Sequence, residues 1–142
     1  MSSEPCNVVF TTMHMQGAFV LGAVVIFAAN VSKMALFYEK VLGATATEEG
    51  NDVRLRTKTD ELLIHSMPKA VAKKIKIDVP PRRRSETPIK PAFDVTSLPE
   101  ALKEVVPAGG VDTKYSFNHN GTDRHDILDP EGNVVQLRSP EK

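Results

Sequence analysis

The side chains able to do chemistry are few, and they concentrate near the C-terminal end of the chain. Thr122-Asp-Arg-His-Asp-Ile-Leu128 sets Asp123 and His125 two residues apart, so an extended chain carries both on one face. A histidine beside a carboxylate can act as a general base; the alternative is an ordinary solvated strand face. In Asn133-Val-Val-Gln-Leu-Arg-Ser139, Val134, Gln136 and Arg138 share one face, and Val135 and Leu137 share the other. An amide and a guanidinium are thus set on the side opposite two core residues. His119 falls in the turn Asn118-His-Asn-Gly121 and is expected at the surface. Cys6 is the only cysteine, which leaves no intramolecular disulfide and no cysteine-based zinc site. A reducing cytoplasm is the expected setting. No Gly-x-Ser-x-Gly, phosphate loop or dinucleotide fingerprint occurs, so hydrolase and nucleotide-binding classes have no support.

These residues need elements to hold them. Leu21–Ala29 reads as a strand, and Asn30 caps a helix with apolar positions Val31, Met34, Ala35, Tyr38, Val41 and Leu42, closed by Gly43. Strands follow at Ala44–Glu48, Asp52–Thr57 and Leu62–Ser66. In the middle one, Val53 and Leu55 face a core while Arg54, Arg56 and Lys58 form a solvated basic face. The order then recurs. Ile89–Val95 is a strand whose Pro91 suits a strand start or a sheet edge. Ser97-Leu-Pro-Glu100 is a capping box, and the helix after it stops at Pro107 and Gly109-Gly110. Strands Val111–Asn118, Thr122–Leu128 and Asn133–Ser139 complete the unit. Asn30 and Ser97 are 67 residues apart, as are Gly43 and Gly110. A strand–helix–three-strand module therefore occurs twice in one α+β domain.

Three further segments bound the reading. Gly17–Ala29 is nearly all apolar but too short to cross a membrane, which takes about 20 residues. It reads as a buried central strand, apolar on both faces. Residues 67–88 join the modules and hold seven basic residues, Lys69, Lys73, Lys74, Lys76, Arg82, Arg83 and Arg84. Lys69–Lys76 can form a short helix, whereas Val79–Pro88 cannot. The run is either a solvated surface or a rim over a pocket. Across the chain 18 basic and 18 acidic residues cancel, which favours neither nucleic acid nor an anionic membrane as a partner. Residues 1–17 stand apart as an atypical extension, with the modules at 18–66 and 89–142.

Asp129-Pro-Glu-Gly132 is a tight-turn recipe leading into an alternating strand. Together with Phe37-Tyr38-x-x-x-Leu42-Gly43 it resembles the vicinal oxygen chelate superfamily, which includes glyoxalase I, bleomycin and fosfomycin resistance proteins and extradiol dioxygenases. The resemblance spans residues 18–139. It implies two βαβββ modules forming curved mixed sheets around a cleft, with two protomers paired as a homodimer.

In metal-using members of that superfamily, ligands of His, Gln or Glu type sit at equivalent strand positions. Carried over by motif, they fall on Ala23, Lys90 and Gln136, with a fourth near Leu63–His65 whose register the sequence leaves open. Alanine cannot ligate and an ammonium group repels a cation. The resemblance thus implies no metal and no other cofactor. It implies a small-molecule binding protein whose ligand-facing residues are Gln136, Lys90, Arg138, Phe27 and His65 around one cavity. The alternatives are a diverged lyase or isomerase of glyoxalase type, or a non-catalytic regulatory module.

Overall fold

The computed structural model describes residues 20–139. Strand β1 (Val24–Ala28) leads into helix α1 (Val31–Leu42) and strands β2 (Thr45–Glu49), β3 (Asp52–Arg56) and β4 (Glu61–Ser66). After a single turn of helix, α2 (Lys69–Ala72), come β5 (Ala92–Asp94), α3 (Leu98–Val105), β6 (Val111–His119), β7 (Thr122–Leu128) and β8 (Val134–Arg138). The two four-stranded sheets have matching orders, β1-β4-β3-β2 and β5-β8-β7-β6. In each, the first strand runs parallel to the last and the other pairs are antiparallel.

Local chemistry accounts for the element ends. The Asn30 side chain accepts the Lys33 amide, and Gly43 closes α1 in the left-handed region at φ 66°. The Ser97 hydroxyl accepts the Glu100 amide, but the Glu100 carboxylate meets Lys103 instead of completing the capping box. Pro91 leaves β5 only three residues at the edge of its sheet. Helix α2 spans four residues, shorter than the eight the sequence allows, and residues 79–88 are irregular.

One expectation is corrected. Strand β1 is not central and is not buried on both faces: it is an edge strand, with Val25 50% and Phe27 55% exposed. Its apolar run reflects one face on the helix and one on the open side of the sheet. The basic face of β3 is solvated at Arg56 and, just past the strand, at Lys58, as expected, and is also ion-paired, because Arg54 lies between Glu49 (2.7 Å) and Glu61.

One core unites the modules. Tyr38 and Phe37 of α1 are fully buried with Val105 of α3 and with Ile127, Val135 and Leu137 of the second sheet. The approach is close. A Cβ on Gly110 would lie 2.5 Å from the Phe37 ring and 2.4 Å from the Leu128 carbonyl oxygen, so only glycine fits there.

The Asp129–Gly132 turn latches this core. Buried Asp129 accepts the Tyr38 hydroxyl at 2.6 Å, the Asn133 side-chain amide at 2.8 Å and two backbone N–H groups of its own turn. Burial raises the Asp129 carboxyl against the pull of Tyr38 and Asn133, while burial and the Asp129 charge push the Tyr38 phenol well up, keeping it a donor. Glu131 reaches into the first module, where it accepts the Ala29 and Asn30 amides at 2.9 and 2.8 Å. These amides stand at the positive end of α1, which favours a carboxylate there. From the linker, Arg84 donates to the Glu131 carbonyl and its amide bonds the Gly132 carbonyl. The linker is therefore partly docked, although Arg82 and Arg83 remain exposed. Gly132 is held at φ 86°, where a Cβ would lie 2.1 Å from the Arg82 carbonyl oxygen.

Glu131→Ala strands two amides and is expected to destabilise the protein by about 2–4 kcal/mol. Tyr38→Phe is expected to cost about 1–3 kcal/mol by taking a donor from a buried carboxylate. Urea titration would show lower midpoints with unchanged slopes.

Candidate functional site

In each sheet the residues alternate between the face packed on the helix and an open face. Leu62 and Ile64 of β4 enter the core, so Leu63 and His65 point to the opposite side. Val135 and Leu137 of β8 likewise leave Gln136 and Arg138 opposite. Pairing fixes the register that the sequence leaves open. Ala92 pairs with Gln136, and Val25, its counterpart 67 residues earlier, pairs with Leu63. The first-module counterpart of Gln136 is therefore Leu63. His65 corresponds instead to Arg138, through the pairs Phe27–His65 and Asp94–Arg138.

The five residues expected around one cavity form three groups. Lys90 and Gln136 meet through Asp126, a residue the sequence reading did not single out. The Lys90 Nζ lies 3.2 and 3.4 Å from the two Asp126 carboxylate oxygens, and Gln136 Nε2 lies 3.5 Å from one of them. Asp126 and Gln136 are both buried, while the Lys90 side chain is 41% exposed. A buried carboxylate needs a cation, and Lys90 supplies it. Asp126 stands directly opposite Gln136 on the neighbouring strand, a register that alternation within one strand does not give.

Phe27 and His65 form the second group, their rings 5.1 Å apart in an edge-on contact. His65 Nδ1 lies 2.7 Å from Asp52, whose other oxygen accepts the Ser66 amide at 2.9 Å. Arg138 forms the third, with Nε donating to Asp94 at 2.6 Å. Of the five, Arg138 alone lines a cleft of about 1230 Å³. Its walls are the start of β1 from Leu21, the β3–β4 turn from Arg56 to Glu61, Thr45 and Thr47 of β2, and Ala92 to Asp94 with Thr96. The lining mixes threonine hydroxyls, the cations Arg56, Lys58 and Arg138, the carboxylates Asp60, Glu61 and Asp94, and apolar Leu21, Leu42 and Phe93, a set that can hold an oxygen-rich molecule with an apolar part.

The pairing of His125 with Asp123 is corrected as well. His125 Nε2 bonds Asp112 of β6 at 2.6 Å, whereas Asp123 is held by Asn118 at 2.8 Å and donates its backbone amide to Ser139. Burial pushes the Asp112 carboxyl up, but the His125 ring and the Lys114 amide pull it below its ordinary value. His119 is exposed, as expected, and His14 lies outside the described residues. No cluster of three or more His, Cys, Asp or Glu side chains able to hold a metal occurs among the described residues.

A model of the glyoxalase-like domain matches residues 23–138. The chain belongs to the glyoxalase-like domain family. Its fold is that of solved family structures. One is a glyoxalase/bleomycin resistance protein/dioxygenase family enzyme from Burkholderia phytofirmans PsJN, at 18% identity and TM-score 0.63, covering 83% of this chain and 96% of that one. Another is a glyoxalase/bleomycin resistance protein from Albidiferax ferrireducens T118, at 12% and 0.64, covering 85% and 98%. The fosfomycin resistance protein FosX from Mesorhizobium loti is similar at 10% and 0.61, covering 86% and 92%. At these identities the likeness is one of fold. No curated protein sequence matches the chain. No helix among the described residues is long and apolar enough to cross a membrane.

The Ser66 amide, then His65, holds the Asp52 carboxyl below its ordinary range. A carboxyl lowered on folding stabilises the native state above its unfolded value, about 3.9, and loses that effect as pH falls through the folded value. The melting-temperature gap between wild type and Asp52→Asn is expected to be full at pH 6 and to close below about pH 4, as followed by circular dichroism.

Proposed function

We propose that this glyoxalase-like protein binds a small, oxygen-rich and partly anionic organic molecule without a resident metal, and sequesters it. The observation that carries this reading is the closed Lys90–Asp126–Gln136 network. At the four positions where the family resemblance implies ligands, the chain has Ala23, Leu63, Lys90 and Gln136. Two are apolar, one is a cation and one is a neutral amide. The Lys90 ammonium supplies the positive charge that Asp126 requires, so the carboxylate is already neutralised by the chain itself. A divalent ion entering there would have to displace an ion pair and gain only an amide oxygen and one carboxylate.

In this reading the ligand lies in the cleft beside Arg138, whose guanidinium engages an anionic or carbonyl group, while the threonines meet its other oxygens. Gln136 lies outside that lining, two residues before Arg138 on β8, where it is held with Lys90 and Asp126. The names of the structural neighbours point to bleomycin and fosfomycin as first compounds to test. An enzymatic reading of glyoxalase type is the alternative, and the Burkholderia neighbour, described as an enzyme, favours it.

We further propose a homodimer, supported by the exposed apolar side chains Val20, Leu21 and Ile89 just ahead of edge strands β1 and β5. Light scattering is expected to give two chains per particle. The balanced charge supports a protein that avoids nucleic acid and membranes, and the single cysteine a reducing cytoplasmic setting.

Thermal-shift titration tests the metal-free reading, because any ligand of the native state raises its melting temperature. Zinc, nickel, manganese and iron salts alone are expected to give no shift, while an oxyanion-bearing compound raises the melting temperature with or without chelator. Arg138→Met is expected to weaken that compound about tenfold or more, and Gln136→Ala by less. Stoichiometric metal carried through purification and lost in Gln136→Ala would overturn the reading.

A further inference from the structure

The geometry points to a second chemical capability: we propose that His65 and Asp52 form a base dyad on the open face of the first sheet. Its substrate class is a small molecule with an apolar body and an acidic C–H or O–H. Two contacts fix the imidazole and a third fixes its partner. Asp52 takes Nδ1 at 2.7 Å, the Phe27 ring abuts it edge-on at 5.1 Å, and Asp52 is itself anchored by the Ser66 amide at 2.9 Å. A carboxylate on Nδ1 selects the tautomer with its proton there, which leaves the Nε2 lone pair as the acceptor. The side chain is 43% exposed, so that lone pair is within reach of a bound molecule. Val25 and Leu63 share the same open face and supply apolar surface beside it. Nucleophile or base, then orienter, each within hydrogen-bond distance, is the arrangement proton transfer requires.

The step balances without a metal or co-reactant. The substrate C–H or O–H bond breaks, its electron pair stays on the substrate, and the proton moves to Nε2. The resulting imidazolium is stabilised by Asp52, and the proton returns to substrate or water. His125 does not offer the same device, because its side chain is only 12% exposed. The dyad lies outside the cleft lining, so it stands or falls apart from the metal-free binding reading.

Two measurements on the full chain test it. Diethyl pyrocarbonate acylates an available imidazole nitrogen: a new N–C bond forms and ethyl carbonate leaves. With peptide mapping at pH 8, His65 is expected to react several-fold faster than exposed His119, which serves as the internal reference. Asp52→Asn is expected to remove that excess. In long-range ¹H–¹⁵N spectra at the same pH, His65 is expected to carry its proton on Nδ1 in the wild type and mainly on Nε2 in Asp52→Asn. That change of tautomer is one that simple loosening of the fold would not produce in a variant whose His119 signals are unchanged. Equal rates at His65 and His119, an excess that survives Asp52→Asn, or an Nε2–H tautomer in the wild type would each overturn the proposal.

Discussion

A carboxylate with no access to water organises this molecule. Asp129 is buried in the joint between the modules, and an isolated charge there would be prohibitively costly. It is tolerated because its donors converge from two sources, the tight turn to which it belongs and the Tyr38 hydroxyl of the other module. Glu131, two residues on, meets the start of the same helix. The two sequence signatures that carry the family resemblance, Phe37-Tyr38 and Asp129-Pro-Glu-Gly132, are thus two sides of one contact. The sheets keep their relative placement because this contact is polar, directional and sealed.

The open faces follow a different principle, the neutralisation of charge by charge. Arg54 sits between Glu49 and Glu61, Arg138 meets Asp94, and Lys90 meets Asp126. A face that looks cationic or metal-ready when residues are counted has little unbalanced charge once the strands are paired. What differs among these pairs is burial. Those with exposed partners are worth little for stability, whereas Asp126 would be stranded without its lysine.

What the sequence made legible was local. Caps, tight turns and strand alternation depend on neighbours within a few positions, and so Asn30, Gly43, Ser97 and both modules could be read directly. The edge position of β1 could not, because an apolar run reports what a strand can bury and not what covers it. The partner of His125 was missed for a related reason: Asp112 is 13 residues away across a hairpin that contains a register shift, beyond the reach of simple alternation. Lys90 and Gln136 were read as pocket residues, but the carboxylate between them lies on a third strand. Pairing had to be known before the cluster could be seen.

The duplication is imperfect in one telling place. The loop that corresponds to the Asp129–Gly132 turn is the one around Thr57–Asp60, which has no buried acid and no grip on the second helix. Where the latch would recur, between that loop and Thr96, the cleft opens instead. The molecule is therefore built like a clothes-peg, clasped by Asp129 and Glu131 along one seam and parted along the other.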